Sequence, residues 1–401
     1  MFDWVHRNGK ILLAVRLLQA FSASYVSILF AIYLRTLGLS ISQIGLVLTG
    51  GLISSTLFNL AAGYLEAWLG RRKLLIFFGF ISVIAGIIFA VSSNTALLIA
   101  VAIFASMGYA GGFGAAQMLE RVILAQSCEN NRRTELYAIR STVGSLSTAA
   151  GSLFTGLLVV LASWGLSEGG AYQVMFGVFA GLNLVMVILY MLLDEAAEIK
   201  LEETKQVSLC PETKRYLVML SILFSMDTLG GAFITQSLVA YWFFERFGLA
   251  MDRIGLIFAV SSLLSAVSFM TAARVSKRIG LINTMVYSHL PSSMTLAAIP
   301  YMPNLWTSLV LYLGRSLLSN MDVPARDSYT MAIVKPEERA RFQSLLNLPR
   351  SFTLAIGPSV AGYLMQFIGL STPFLFGGII KSIYDVSLWY TFKDIKPPEE
   401  R

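Results

Sequence analysis

Long apolar segments recur along nearly the whole chain, and they limit its possible folds more than any other feature. Each has at least the roughly 20 residues that an α-helix needs to span a bilayer. The segments lie at 11–34, 41–65, 73–92, 95–119, 136–163, 172–193, 216–244, 251–272, 281–302, 305–331, 342–367 and 371–392. Because backbone groups in lipid must be hydrogen-bonded internally, this pattern predicts an all-α polytopic membrane protein with about 12 transmembrane helices.

Composition excludes a soluble chain and several kinds of chemistry. Hydrophobic residues make up 56% of the sequence and charged residues 13%, whereas a soluble domain has about 25% charged residues. With only two Cys and two His, the chain has few ligands for a transition metal, so we expect neither a metal nor a cofactor. The sequence has no Gly-x-x-x-x-Gly-Lys-Ser/Thr, His-Glu-x-x-His or Gly-x-Ser-x-Gly motif, so we expect neither an ATP-driven pump nor an enzyme.

Positive charge is distributed asymmetrically across the predicted membrane. Of the 30 Lys and Arg residues, only Arg35, Arg246 and Arg253 fall on the side opposite the N-terminus, while six lie inside segments. The positive-inside rule therefore places both termini in the cytosol of a multi-pass protein of the cell membrane. We expect the basic side to contact anionic lipid headgroups, so the net charge of +7 does not require a nucleic-acid partner.

One polar insert and an internal repeat predict two halves. The insert, residues 194–215, has no apolar periodicity. It indicates a cytosolic linker between an N-terminal six-helix bundle (1–193) and a C-terminal six-helix bundle (216–401). Residues 37–46 match residues 247–256 at an offset of 210, which also relates Gly70 to Gly280. Further matches at an offset of 206 pair Arg133 with Arg339, Gly151 with Gly357 and Gly156 with Gly362. Parallel halves of this kind are one known plan of secondary transporters.

The stretch 63–73, Gly-Tyr-Leu-Glu-Ala-Trp-Leu-Gly-Arg-Arg-Lys, resembles the signature of the major facilitator superfamily, Gly-x-Leu-x-Asp-Arg-x-Gly-Arg-Arg. Ala67 and Trp68 replace the Asp and the first Arg. The second half has a weaker copy at 273–280, with Lys277 at the acidic position. The resemblance implies a cavity lined by the first, fourth, seventh and tenth helices. It also implies a cytosolic gate that involves Gly63, Gly70, Arg71, Arg72, Arg278 and Gly280.

Charged residues near the middle of the membrane are the main candidates for function, because each costs several kcal/mol there. Asp227 lies roughly 17 Å from the cytosolic end of the seventh segment, and Arg315 roughly 14 Å from the opposite end of the tenth. The two depths together match the hydrocarbon thickness of about 30 Å. We therefore expect Asp227 and Arg315 to face each other or share a substrate, with Asp227 binding a proton. A fixed structural ion pair is the alternative. Arg350 is a further candidate for the cavity.

Other charges lie where a pair with a structural or gating role is expected. Glu120 with Arg140, and Asp322 with Arg326, are predicted pairs near the cytosolic ends. Lys381 and Asp385 are spaced i, i+4, which predicts a local pair. His289 is expected to be a satisfied interior residue, with a pH-sensitive role as the alternative. Weaker candidates for substrate contact are polar or aromatic residues on the cavity helices: Gln19, Tyr25, Tyr109, Gln117, Gln236 and Asn320.

Together these features predict a monomeric secondary transporter that moves a small solute by alternating access, coupled to protons. The excess of Arg over acidic residues at mid-depth favours an anionic or zwitterionic solute, and analogy with the family favours export. The departures at Ala67 and Lys277 keep a second hypothesis open, a membrane sensor or scaffold that retains the fold without transport. An intramembrane enzyme is disfavoured because no paired catalytic constellation is present.

Overall fold

The computed structural model describes residues 4–107, 114–129, 133–198 and 209–395, and these residues form helices and turns without any strand. The first helices are α1 (Arg7–Thr36), α2 (Ile41–Leu69), α3 (Arg71–Val91), α4 (Thr95–Phe104), α5 (Gly114–Ala125), α6 (Arg133–Phe154), α7 (Leu157–Ser163) and α8 (Glu168–Met191). A 3-10 turn, Glu195–Glu198, follows. The later helices are α9 (Pro211–Ala232), α10 (Gln236–Phe247), α11 (Met251–Ile279), α12 (Leu281–Ala298), α13 (Leu305–Leu318), α14 (Asp322–Ala332), α15 (Arg339–Phe367) and α16 (Thr372–Phe392).

The described helices coincide with the twelve predicted segments, which confirms the predicted all-α membrane fold. Three segments are divided by a described turn: α6 from α7, α9 from α10, and α13 from α14. By length and apolar composition alone, seven helical stretches among the described residues could cross a membrane. Large apolar side chains such as Leu57, Val91 and Trp306 are 60%, 74% and 75% exposed. Surfaces of this kind mark contact with a membrane.

The chain forms two compact units, Met1–Leu201 with Val239–Ala259, and Glu202–Leu238 with Val260–Arg401. In the first unit, α1 packs against α5, α6 and α8. Residues 24–34 of α1 are all buried, as expected of a helix that is apolar on every face. The approach of α6 to α1 requires a glycine, since a Cβ on Gly151 would lie 2.2 Å from the carbonyl oxygen of Phe21. Small residues permit this close packing of membrane helices.

In the second unit, α9 packs against α15 and α16, while α12 packs against α13, α14 and α16. Gly357 of α15 is the repeat partner of Gly151. A Cβ on Gly357 would lie 2.1 Å from the Cβ of Ala232 in α9. The two matched glycines therefore serve the same purpose in their own units, as the repeat predicts.

The repeat also matches two turns. Gly70 separates α2 from α3 and Gly280 separates α11 from α12, with φ values of 81° and 86°. This is a region that residues with a Cβ rarely adopt. Gly63 and Arg278, which the family resemblance also implies for the gate, are exposed.

Candidate functional site

Two glycines near the end of α9 allow the side chain of a lysine to come close to Asp227. A Cβ on Gly230 would lie 2.7 Å from Cγ of Lys381, which comes from α16. The side chain of Lys381 continues past Gly231, and its Cε would lie 3.7 Å from a Cβ on that glycine. The side chain of Lys381 therefore packs directly against the two glycines, and its Nζ reaches the carboxylate of Asp227.

The carboxylate of Asp227 contacts two cations. Nζ of Lys381 lies 2.5 Å from Oδ1, and a terminal nitrogen of Arg326 in α14 lies 3.0 Å from Oδ2. Arg326 also lies 3.6 Å from Asp322, which confirms the predicted i, i+4 pair. Its guanidinium is 5.4 Å from the ring centre of Phe224. Each oxygen of the Asp227 carboxylate is therefore held by a different helix.

His289 of α12 connects this carboxylate to a second one. Its Nδ1 lies 2.8 Å from Oδ1 of Asp385, and the hydroxyl of Ser293 donates to the other oxygen of Asp385 at 3.0 Å. Its Nε2 lies 3.5 Å from Oδ1 of Asp227 and 3.5 Å from Nζ of Lys381. The imidazole therefore lies between two buried carboxylates.

We call this network the C-terminal charge cluster, and its members are Asp227, His289, Asp322, Arg326, Lys381 and Asp385. All six side chains are buried. Asp227 pairs with Lys381 and Arg326, and that Asp227 and Arg315 share a substrate stays a prediction. The predicted local pair of Lys381 and Asp385 is wrong, since each of the two contacts a residue of another helix. The reason is that α16 packs against both α9 and α12, so its two charges reach partners on different helices.

The cluster includes a group with the spacing of metal ligands. Asp227, His289 and Asp322 each bring one ligand atom to within 4.8 Å of the others. However, the two cations of the cluster already contact these acidic oxygens. A divalent cation at this point would lie against Lys381 and Arg326, and their repulsion makes the donor set a poor fit for a metal.

Two arginines of the second unit have no carboxylate partner among the described residues. Arg315 of α13 is partly buried, and its Nε has no hydrogen-bond partner. Arg350 of α15 donates from Nε to Oγ1 of Thr228 at 3.3 Å. Of the weaker candidates, Gln236 is half-buried and Asn320 donates to Oγ of Ser265 at 2.9 Å.

The first unit contains a smaller network around Glu120 of α5, which is 1% exposed. The hydroxyl of Tyr190 donates to Oε1 at 2.5 Å, and Nε2 of Gln19 donates to the same oxygen at 3.3 Å. Arg140 lies 3.5 Å from Oε2, which confirms the predicted pair. Arg16 donates to Oε1 of Gln19 at 3.3 Å. We call these five residues the N-terminal charge cluster.

The remaining candidates of the first unit differ in their surroundings. Tyr25 is fully buried, donates to the carbonyl oxygen of Met175 at 3.3 Å, and packs edge-on against Phe154. Gln117 is half-buried, and Tyr109 lies outside the described residues. The contacts of Tyr25 are those of a helix-packing residue.

Two acidic side chains, Glu66 and Glu198, contact the turn between α2 and α3. Nε of Arg71 lies 2.5 Å from Oε1 of Glu66. The carboxylate of Glu198 accepts from the backbone N–H groups of Arg71 at 2.7 Å and of Arg72 at 2.9 Å. Such an acceptor stabilises a helix N-terminus, whose first N–H groups have no partner within the helix.

Sequence reasoning placed His289, Lys381 and Asp385 outside the site. The sequence did contain a signal for a functional role, since each of the three is an ionisable residue inside an apolar segment. The i, i+4 spacing of Lys381 and Asp385 suggested instead that these two charges neutralise each other. Nothing in the sequence showed that Tyr190 would donate to Glu120, because the two residues are 70 positions apart and lie on different helices.

Comparison with known proteins identifies the family to which these helices correspond. The model of the Major Facilitator Superfamily matches residues 12–321 and 216–401. An uncharacterized membrane protein of Saccharomyces cerevisiae is 24% identical over 90% of this chain and 89% of its own length.

Two solved structures have a similar fold. The nucleoside transporter NupG is 17% identical, with a TM-score of 0.73 over 96% of this chain and 99% of its own. A bacterial homolog of the human lysosomal transporter Spinster, in an inward-facing and unoccupied conformation, is 15% identical, with a TM-score of 0.69 over 97% of this chain and 96% of its own. At these identities the likeness shows the fold alone.

Proposed function

Since the chain belongs to the Major Facilitator Superfamily, we propose that it is a secondary active transporter that moves a small solute across the membrane by alternating access, coupled to protons. The C-terminal charge cluster is the observation that carries this proposal. Its six ionisable side chains are buried within helices of an integral membrane protein.

The cost of such a cluster supports a functional role. Buried ion pairs stabilise a fold poorly, and apolar residues of similar volume often replace them with a gain of about 1–4 kcal/mol. Ionisable residues at membrane depth commonly mark ion and substrate pathways. The helices that hold the cluster also pack through small residues. A Cβ on Gly377 of α16 would lie 2.8 Å from the carbonyl oxygen of Gly230 in α9, and one on Gly378 would lie 2.7 Å from Cβ of Ala297 in α12.

The two arginines without a carboxylate partner support an anionic or zwitterionic solute. Arg315 keeps a buried Nε without a hydrogen bond, and Arg350 donates to neutral oxygens of Thr228 and Asn347. A guanidinium binds carboxylates and phosphates through paired N–H donors. We assign these two residues to the solute and the C-terminal charge cluster to the proton.

We propose a location in the cell membrane with both termini in the cytosol, a monomeric state, and export as the direction. The asymmetry of Lys and Arg supports the orientation. Everted membrane vesicles test the direction, because an exporter loads solute into them when protons leave the lumen. Loading that occurs only in right-side-out vesicles would contradict export.

The test of transport uses purified protein in liposomes and a panel of radiolabelled carboxylates, phosphate esters, amino acids and neutral sugars. We expect accumulation of an anionic or zwitterionic member that depends on an imposed pH gradient. Asp227→Asn should abolish that accumulation. Asp327→Asn is the control and should not, because Asp327 is an exposed carboxylate on the same helix as Arg326.

A double substitution separates function from a fixed structural pair. Asp227→Asn leaves Lys381 without a carboxylate and Arg326 with Asp322 alone, so loss of folding alone could explain lost transport. In Asp227→Asn with Lys381→Met, one negative and one positive charge are removed together. If the pair is only structural, the double variant regains accumulation. If it takes part in coupling, the double variant folds, as its size-exclusion profile would show, but does not accumulate solute. No transport of any solute by the wild type would favour the sensor or scaffold.

A further inference from the structure

The imidazole of His289 has two nitrogens in different surroundings. Nδ1 faces the carboxylate of Asp385 at 2.8 Å. Asp385 is fully buried, which disfavours its charged form, but the hydroxyl of Ser293 and the Nδ1–H of His289 both donate to its oxygens and favour the carboxylate. As an acceptor, this carboxylate holds a proton on Nδ1. Nε2 faces Lys381 and Asp227, each at 3.5 Å. With Nδ1 protonated, Nε2 of the neutral ring has a lone pair that accepts from the ammonium of Lys381.

The formal charges of the C-terminal charge cluster become balanced when the cluster binds one proton. Asp227, Asp322 and Asp385 are three carboxylates, and Arg326 and Lys381 are two cations. The network is therefore one negative charge in excess when His289 is neutral, and balanced when His289 is protonated. Asp227 is a poor site for that proton, because Lys381 and Arg326 contact its oxygens and favour the charged carboxylate.

We propose that Nε2 of His289 is the site that binds the coupling proton, and that Asp385 is the positioning residue that fixes its tautomer. The inference rests on the proposed function and deepens it by naming the proton site. In this inference His289, and not Asp227, is the group that takes up the proton. Asp227 is the carboxylate that accepts a hydrogen bond from the new N–H.

Proton binding changes the contacts of Lys381. The proton adds to the lone pair of Nε2 and gives an imidazolium with N–H groups toward Asp385 and Asp227. The ammonium of Lys381 then has a like charge in place of an acceptor at 3.5 Å. Lys381 then moves away from the ring, past Gly230, while Asp227 exchanges Lys381 for His289. Release of the proton restores the original pairing, so one proton enters and one leaves per cycle.

Several titratable groups surround the ring, and each belongs to a helix that packs against α12 or its partners. On α16 these are Tyr384, Lys381 and Asp385, and the ring of Tyr384 lies 5.8 Å from the imidazole. Asp227 comes from α9, and Asp322 and Arg326 come from α14. α13, which also packs on α12, carries Tyr312 and Arg315.

Nitrogen NMR can observe this histidine directly, because the chain has only two histidines. In His6→Gln, labelled with ¹⁵N-histidine and held in detergent micelles, all imidazole signals come from His289. As the pH is lowered from about 9 to about 5, we expect a neutral Nδ1–H ring to change into an imidazolium. A ring that keeps one protonation state over this range, or a neutral ring with its proton on Nε2, would overturn the proposal.

Asp385→Asn tests the positioning role with the same signals. Loss of the carboxylate should raise the share of the Nε2–H tautomer, which a purely structural role would leave unchanged. An unaltered tautomer in this variant would remove Asp385 from the proposal.

A transport measurement links the proton site to coupling. In His289→Gln, with a solute that the liposome panel identifies, we expect exchange between solute pools to continue while accumulation driven by a pH gradient falls at least tenfold. His6→Gln is the matched control and should accumulate as the wild type does. Undiminished accumulation by His289→Gln would disprove the proton site, although transport itself would stand. Absence of any transported solute would disprove the proposed function, and the NMR result would still decide whether His289 takes up a proton.

Discussion

A single hydroxyl supports the buried carboxylate of Glu120. Tyr190 donates to Oε1 at 2.5 Å in a place where the carboxylate is 1% exposed. Hydrogen bonds to charged groups contribute about 1.5–3 kcal/mol. We predict that Tyr190→Phe lowers the free energy of unfolding by an amount in this range, seen as a lower melting temperature of the purified protein in detergent.

A matched control exists in Tyr137, whose hydroxyl also donates to an oxygen but is exposed. Tyr137→Phe removes the same atom where water can replace it, so it should change the melting temperature little. Equal effects of the two substitutions would mean that the contact with Glu120 contributes no more than a solvated hydroxyl.

Glu338 provides a pH-dependent contact outside the membrane-spanning helices. Its carboxylate accepts from the hydroxyl of Thr213 at 2.6 Å and from the backbone N–H of Cys210 at 2.6 Å, at the start of α9. The hydrogen bond from Thr213, followed by that from Cys210, holds the pKa of Glu338 below its usual value. A carboxyl whose pKa is lower in the folded state stabilises the fold above its unfolded pKa, and this stability is lost as the pH falls through the folded value.

We therefore predict that Glu338→Gln lowers the melting temperature at neutral pH, and that its difference from the wild type shrinks as the pH is lowered into the acidic range. Glu337→Gln is the matched control, because the neighbouring side chain is exposed. A difference between Glu338→Gln and the wild type that stays constant with pH would show that ionisation of Glu338 does not contribute.

Sequence could identify which residues would be buried charges but not which would be partners. Asp322 with Arg326 and Glu120 with Arg140 were predicted correctly, the first because it lies one turn apart on a single helix. Lys381 and Asp385 have the same spacing, yet they face α9 and α12. The rotation of a helix about its axis depends on packing with neighbours, and the apolar pattern of a membrane helix leaves that rotation open.

At the scale of helices, the apolar segments predicted positions well because lipid allows few alternatives to a spanning helix. Divisions within segments were not predicted. α9 ends at Ala232 and α10 begins at Gln236 inside one apolar stretch, where no proline or charge marks a boundary. The capping of α9 by Glu338, 128 residues away along the chain, also has no local signal.

The two matched glycines offer a test of helix packing. We predict that Gly151→Ala and Gly357→Ala each lower the free energy of unfolding by about 1–3 kcal/mol, the usual cost of overpacking a core. The new methyl would lie 2.2 Å from the carbonyl oxygen of Phe21 in one case and 2.1 Å from Cβ of Ala232 in the other. Melting temperatures in detergent measure both.

Gly181→Ala is the control, because nothing lies within 4 Å of a Cβ at that position in α8. In a helix, replacing Gly by Ala without a clash stabilises by about 0.5–1 kcal/mol. The control should therefore melt at the same temperature or higher. A stabilised Gly151→Ala would show that α1 and α6 can separate without cost.

At the scale of the whole molecule, the distribution of charge predicts the orientation in the membrane. Lys and Arg concentrate in the connections on the side of the N-terminus, and the even number of predicted crossings returns the C-terminus to the same side. The described helices agree with the twelve segments on which this count depends. The orientation matters for the proposed function, because it decides which face of the protein meets the higher proton concentration.

Single cysteines can test the orientation in intact cells. After Cys128 and Cys210 are replaced by Ser, cysteine is introduced at one exposed position at a time: Lys10, Ser93, Ala250 or Lys393. A membrane-impermeant maleimide should label Ser93→Cys and Ala250→Cys, which lie in connections opposite the termini. It should leave Lys10→Cys and Lys393→Cys unlabelled until the membrane is opened with detergent. Labelling of only one of the two terminal positions in intact cells would require an odd number of crossings, and the paired six-helix halves would then be wrong.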